Sequence, residues 1–171
     1  MIRPCAEDDF ARILAIVNAA AEAYRGVIPD DRWRVPYMPA EELSTEIEAG
    51  VAFYGHSSGE DDLVAVMGVQ PVRDVILIRH AYVTPSHQRA GLGSALLEWI
   101  LARQDRPVLV GTWAAAEWAV AFYERHGFAR VPEVEKSTLL RRYWSIPERQ
   151  IETSVVLADL RWRARYEAGG A

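Results

Sequence analysis

Cysteine is nearly absent from this chain, and so is lysine. Of 171 residues, one is a cysteine, Cys5, and one a lysine, Lys136. A single cysteine excludes an internal disulfide framework and a cysteine-ligated zinc site. Positive charge is in deficit: 19 Lys and Arg stand against 24 Asp and Glu, a formal net charge of −5. Nucleic-acid binding needs a basic footprint, so no nucleic-acid partner is expected. Long apolar runs are also missing. No stretch approaches the roughly 20 residues that cross a bilayer. Met1-Ile2-Arg3-Pro4 leads into the acids Glu7-Asp8-Asp9, where an export signal would carry its apolar segment. The expectation is a cytoplasmic protein with no membrane partner. Half the residues are hydrophobic and 25% charged, an ordinary globular balance at a length that suits one domain. The polar, Gly-rich Glu167-Ala168-Gly169-Gly170-Ala171 reads as the least tied-down segment.

Periodicity then orders the elements. Phe10, Ile13, Leu14, Val17, Ala21 and Tyr24 recur at helical spacing. Tyr24 to Pro39 carries Gly26, Pro29, Pro36 and Pro39 and reads as a long loop. A short helix follows from Ala40 to Ala49, stopping at Gly50. Val51–Tyr54 and Leu63–Val69 read as a hairpin, and Val75–Val83 as a third strand, apolar on both faces at its start. A helix begins near Gly91 with Leu92, Ala95, Leu96, Trp99 and Ile100 inward. Val108–Val110 is a strand, and Ala115–His126 a helix with Trp118, Ala119 and Phe122 on its buried face and Gly127 as its stop. Val131–Gln150 holds a short helix or covering loop around Leu139–Trp144, and Ile151–Leu157 is a last strand. The sum is an α/β or α+β domain, a mixed sheet with helices on both faces.

The most informative stretch runs from Val83 to Leu97. A strand ends in Val83-Thr84-Pro85, glycines follow, and an amphipathic helix starts. The first N–H groups of a helix have no intrahelical partner, and with the helix dipole they suit a phosphate. There is no Lys-Ser/Thr after the glycines, so this is no P-loop. Leu96 stands where a dinucleotide fingerprint needs its third glycine.

Gln88-Arg89-Ala90-Gly91-Leu92-Gly93 instead resembles motif A (Gln/Arg-x-x-Gly-x-Gly/Ala) of the GNAT superfamily of acyl-CoA-dependent N-acetyltransferases. Ala119-Val120-Ala121-Phe122-Tyr123-Glu124-Arg125-His126-Gly127-Phe128 resembles a second motif of that superfamily, in the expected order with one strand between. The resemblance covers roughly residues 1 to 130 and the last strand. It implies a mixed, mostly antiparallel twisted sheet with a V-shaped splay between two central strands. It also implies that residues 1–171 form a single acyl-CoA N-acyltransferase domain, the tail from about 160 on being less defined.

The resemblance further implies that the pyrophosphate of coenzyme A rests on Gln88, Arg89, Ala90, Gly91, Leu92, Gly93 and Ser94. The pantetheine arm would pair with Ala81, Tyr82 and Val83, where a backbone N–H can polarise the thioester carbonyl. Tyr123 matches a tyrosine that serves as general acid, and a phenol suits return of a proton to a departing thiolate. Relatives often carry a carboxylate six residues before the valine, where this chain has Leu77, and an asparagine where it has Ala116. The base is therefore open: His80 is one candidate, and Asp30, Asp31, Glu46 or a water relay are others. Arg89, Arg125 and Arg130 are candidates for the nucleotide phosphate. Asp30, Asp31, Trp33, Tyr37 and Tyr143, with Trp144 beside it, are candidates for an acceptor amine through cation–π contact and ion pairing. The expected function is acetyl transfer from acetyl-CoA to a primary amine of a small molecule. A peptide N-acetyltransferase and a non-catalytic acyl-CoA-binding module are the alternatives. No metal is expected, and a monomer or homodimer is, with Trp162 a candidate interface residue.

Overall fold

In the computed structural model, which describes residues 1–59 and 62–169, seven strands form one mixed, mostly antiparallel sheet. The strands are β1 (Ile2–Pro4), β2 (Ala52–Ser57), β3 (Leu63–Val72), β4 (Val75–Val83), β5 (Val108–Trp113), β6 (Ala129–Arg130) and β7 (Ser154–Ala158). Their order is β1-β2-β3-β4-β5-β7-β6. The helices are α1 (Phe10–Ala21), α2 (Ala40–Glu48), α3 (Leu92–Leu101), α4 (Glu117–Arg125), α5 (Glu133–Tyr143), α6 (Glu148–Glu152) and α7 (Leu160–Gly169). The chain forms two compact units: Met1–Arg25 with Trp33–Gln70 and Ile78–Arg103, and Gly26–Arg32 with Pro71–Leu77 and Gln104–Ala171. Strand β4 contributes its first three residues to the second unit and the rest to the first.

In the first unit the predicted hairpin forms, with Ala52 opposite Val69 and Tyr54 opposite Met67. Its core joins Ile13, Ile16 and Val17 of α1 to Leu43 of α2 and to Val51, Phe53, Leu63 and Val66. Helix α1 follows its apolar stripe, although Ile16 is buried and Leu14 only half-buried. Burying Ile13, Ile16 and Val17 at about 2 kcal/mol each, with Ala20 and Ala21 beside them, is what holds a 12-residue helix that would be marginal alone. Asn18 fastens the long loop to α1: its amide accepts from Met38 N at 2.8 Å and donates to Met38 O at 2.9 Å. Strand β1, unforeseen because three residues show no period, pairs antiparallel with β2.

In the second unit the core is Val75, Leu77, Leu109, Leu139, Leu140, Tyr143, Ile151, Val156 and Trp162. Three expectations change here. Helix α4 turns Ala116, Val120 and Tyr123 inward and leaves Trp118 47% exposed, so the buried face is not the one expected. The last strand starts at Ser154, because Pro147 opens helix α6, which takes Ile151 into the core. Trp162 is a core residue, 8% exposed and edge-on to Tyr143 at 6.3 Å, and not one left for an interface. Asp74 ties the unit's ends together, accepting from Tyr143 Oη at 2.8 Å and from Arg165 at 2.7 Å. Helix α7 carries the backbone of Glu167–Gly169, and the last two residues of the expected tail lie outside the described residues.

Trp162→Ala is expected to lower unfolding stability by about 3–5 kcal/mol in chemical denaturation at low protein concentration. A residue held for an interface would change it by less than about 0.5 kcal/mol.

Candidate functional site

The Gly-rich turn leaves β4 through a 3₁₀ turn, Pro85–His87, and enters α3 at Leu92. Thr84 N donates to Val64 O at 2.8 Å, which anchors the strand end, and His87 N donates to Thr84 O at 2.9 Å. Two residues then take left-handed backbone: Arg89 at φ 65° and Gly91 at φ 77°. Gly91 is the residue before the helix, and a Cβ there would meet nothing of the protein within 4 Å. Its glycine therefore serves the backbone turn and leaves open space above it. No side chain caps α3. The first N–H groups of a ten-residue helix thus sit beside a turn whose residues Gln88 to Gly91 are exposed. This is the arrangement that an anion with several oxygens can use.

Upstream on β4 the backbone breaks its alternation. His80 has φ 50°, an uncommon conformation for a residue with a side chain. The consequence is that two consecutive residues reach one carboxylate. Glu46 on α2 holds His80 Nε2 by a short hydrogen bond through Oε2 and Arg79 Nη2 at 3.2 Å through Oε1. All three side chains are under a fifth exposed. Burial alone would raise the Glu46 pKa, but the His80 hydrogen bond and the charges of His80 and Arg79 outweigh it and hold it below 4.5. Arg79 Nη1 also donates to Gln70 Oε1 at 2.9 Å, and Gln70 Nε2 donates to Ala49 O at 3.0 Å. The His80 ring stacks on Phe53 at 6.1 Å. On β3, a Cβ at Gly68 would lie 2.9 Å from the Arg79 carbonyl oxygen, so the bend in β4 needs a glycine beside it.

Tyr82, two residues on, joins Tyr24 and Tyr37. The Tyr24 ring lies 6.3 Å from Tyr82 and 5.5 Å from Tyr37. Burial pushes the phenols of Tyr24 and Tyr82 above their ordinary range. Tyr37 stacks on Trp33 at 5.8 Å, and the Arg25 guanidinium lies 5.1 Å over the Trp33 ring. Tyr24, Tyr82 and Arg25 were not foreseen as members of this aromatic array; the interleaved Tyr and Trp of the loop were the signal.

The first unit thus brings together the turn Gln88–Ser94, Ala81–Val83, His80, Glu46, Trp33 and Tyr37. Asp30, Asp31, Tyr123 and Tyr143 belong to the second. Asp31 is paired there with Arg149 at 3.0 Å, which lowers its pKa. Tyr143 is buried on Asp74, and the Trp144 ring packs on Gly111, whose added Cβ would meet it at 3.2 Å. Tyr123 is 5% exposed, with Phe122 and Phe128 edge-on to its ring at 5.1 and 5.6 Å. Phe122, expected in the core, is half-buried instead. Leu77 and Ala116 are fully buried. Arg130 pairs with Glu124 at 3.4 Å. Among the described residues no helix is long and apolar enough to cross a membrane, and no group of three His, Cys, Asp or Glu could hold a metal ion.

Residues 42–130 match the family model described as an acetyltransferase (GNAT) domain. The chain belongs to the GNAT acetyltransferase family. The match includes both the Gly-rich turn and the Tyr123 motif and draws on both units. Solved structures with the same fold include an acetyltransferase from Streptococcus agalactiae, 15% identical over 94% of this chain and 97% of that one, with a TM-score of 0.71. PaiA N-acetyltransferase from Thermoplasma acidophilum, crystallised with coenzyme A, is 15% identical over 93% and 97% of the two chains, TM-score 0.68. The ribosomal-protein-S18-alanine N-acetyltransferase of Escherichia coli is 18% identical over 93% and 92%, TM-score 0.64. No curated protein matches the sequence significantly.

The depressed Glu46 pKa makes a signed prediction. A carboxylate ionised more easily when folded stabilises above its unfolded pKa, and that stability is lost as pH falls through the folded value. Wild type should exceed Glu46→Gln in melting temperature above about pH 4.5, and the gap should shrink below it, checked by thermal melts from pH 3 to 7.

Proposed function

We propose that this acetyltransferase is a cytoplasmic N-acetyltransferase working as one domain over residues 1–171. In this reading it moves the acetyl group of acetyl-CoA to a primary amine of a small molecule by direct attack in a ternary complex. The observation that carries the reading is the turn Gln88–Ser94, with its left-handed Arg89 and Gly91 and its uncapped helix start. Its amides would hold the pyrophosphate, and the half-buried backbone of Ala81, Tyr82 and Val83 would take the pantetheine arm. Arg89, inside the turn, would add charge.

His80 is the proposed base. Its Nε2 is engaged by Glu46, which leaves Nδ1 to take a proton from the acceptor's ammonium, and the carboxylate stabilises the imidazolium that forms. This is how the chain would dispense with a carboxylate at Leu77. The amine nitrogen then bonds to the acetyl carbon and the carbon–sulfur bond breaks. Tyr123, whose ring is part of the core, would return a proton to the leaving thiolate through its hydroxyl. For the acceptor, Asp31 and Tyr143 are spent on internal partners, which leaves Asp30, Trp33 and Tyr37 as candidates.

Calorimetry with acetyl-CoA and a thiol-release assay over metabolite amines and peptides test the reading. Gly91→Val puts a β-branched residue at φ 77° and is expected to weaken acetyl-CoA at least about tenfold. Unchanged affinity would remove the phosphate-turn assignment. Tyr123→Phe keeps the ring and is expected to cut turnover by about 100-fold. Full turnover at all pH values would remove its role, and release driven only by peptide α-amines would redirect the acceptor to proteins.

A further inference from the structure

The fork at Glu46 carries an inference that rests on reading His80 as the base. Glu46 has two oxygens and two partners, and the partners are neighbours in sequence. In a regular strand, side chains 79 and 80 would point to opposite faces. The left-handed backbone at His80 turns them to the same carboxylate, at a conformational cost. Arg79 is itself held from behind, by Gln70, which in turn is held by the C-terminal end of α2 at Ala49. Helix α2 therefore touches this network twice, through Glu46 and through Ala49.

We propose that Arg79 is a positioning residue for the reaction: it fixes Oε1 of Glu46 so that Oε2 is aimed at His80. Without Arg79, Glu46 would keep one partner, and that partner's charge comes and goes with turnover. A half-buried carboxylate in that position drifts toward its neutral form. Neutral, it would no longer stabilise an imidazolium on Nε2. The groups around the pair are few. Helix α2 contributes Glu46, β4 contributes Arg79, β3 contributes the neutral Gln70, and β2 contributes the Phe53 ring. The phenols of Tyr24 and Tyr82 are pushed up by burial and carry no charge at neutral pH. Arg79 is thus the guanidinium that faces Glu46 from β4.

The test compares wild type, Arg79→Gln, Arg79→Lys and Gln70→Leu in two measurements. One is the titration of the Glu46 side-chain carboxyl by carbon NMR, assigned with Glu46→Gln. The other is the pH profile of kcat/KM with acetyl-CoA and whichever amine the acceptor screen yields. Arg79→Gln is expected to move the Glu46 midpoint upward. It should move the acidic limb of the rate profile the same way, with turnover recovering toward high pH. Arg79→Lys keeps the charge and should hold the midpoint near wild type. Gln70→Leu should lower kcat with a smaller change in midpoint. A Glu46 midpoint unmoved in Arg79→Gln overturns the inference, and so does a uniform loss of rate at every pH. A midpoint that moves while the rate profile stays fixed supports the Arg79–Glu46 coupling and overturns the base assignment of His80.

Discussion

One carboxylate shared by two consecutive residues organises the first unit. Glu46 is mostly buried, and a buried charge is tolerable only when paired and hydrogen-bonded. The pairing demands that β4 turn out of its regular twist at His80, and the bend demands a glycine at position 68 on the neighbouring strand. It also sets what α2 must be: a helix whose inward side carries both the buried Leu43 and, three residues on, Glu46. Backbone strain, a missing side chain and a helix register thus answer a single electrostatic requirement. A structural pair on a surface helix would not justify that cost, because exposed ion pairs contribute about 0–1 kcal/mol.

The same strand carries the second requirement. After the bend it must end in a turn that opens the amides of α3. Arg89 and Gly91 adopt left-handed backbone there, and only one of them is glycine. Together with His80, three such residues fall within twelve positions of β4 and its turn, two of them with side chains. Strain concentrated in this way is what the proposed backbone site would require, since amides offered to a ligand cannot also be spent on regular structure.

Much of this was legible in the amino-acid order. The amphipathic stripe of α1, the β2–β3 hairpin and the Gly-rich turn each express a local rule, and each is where that rule puts it. The family resemblance rested on two local motifs, and both fall within the matched segment. What could not be read was non-local. Strands β1 and β6 are three and two residues long and exist only because a neighbour pairs with them. The inward face of α4 was misjudged because the large ring of Trp118 suggests burial, while the helix register turns Val120 and Tyr123 inward, with Ala116 buried at the N-cap. The bend at His80 leaves no mark in composition. Alternation, applied to β4, sets residues 79 and 80 apart, and only the tertiary contact with Glu46 brings them together.

Charge shows the same limit most plainly. A net −5 chain suggests a surplus of acids free to attract a cationic amine. In and beside the long loop, several acids are already paired. Asp31 is taken by Arg149, 118 residues away, while Glu22 holds Arg25 and Glu42 holds Arg34. Trp33, the obvious cation–π partner, already has an arginine over its ring and a tyrosine stacked on it. An acceptor amine would meet a loop whose charges are mostly balanced, so bulk attraction cannot select it. Selection would fall to shape more than to charge. The charge that the loop presents then depends on which internal pairs it keeps, the Asp31–Arg149 pair among them.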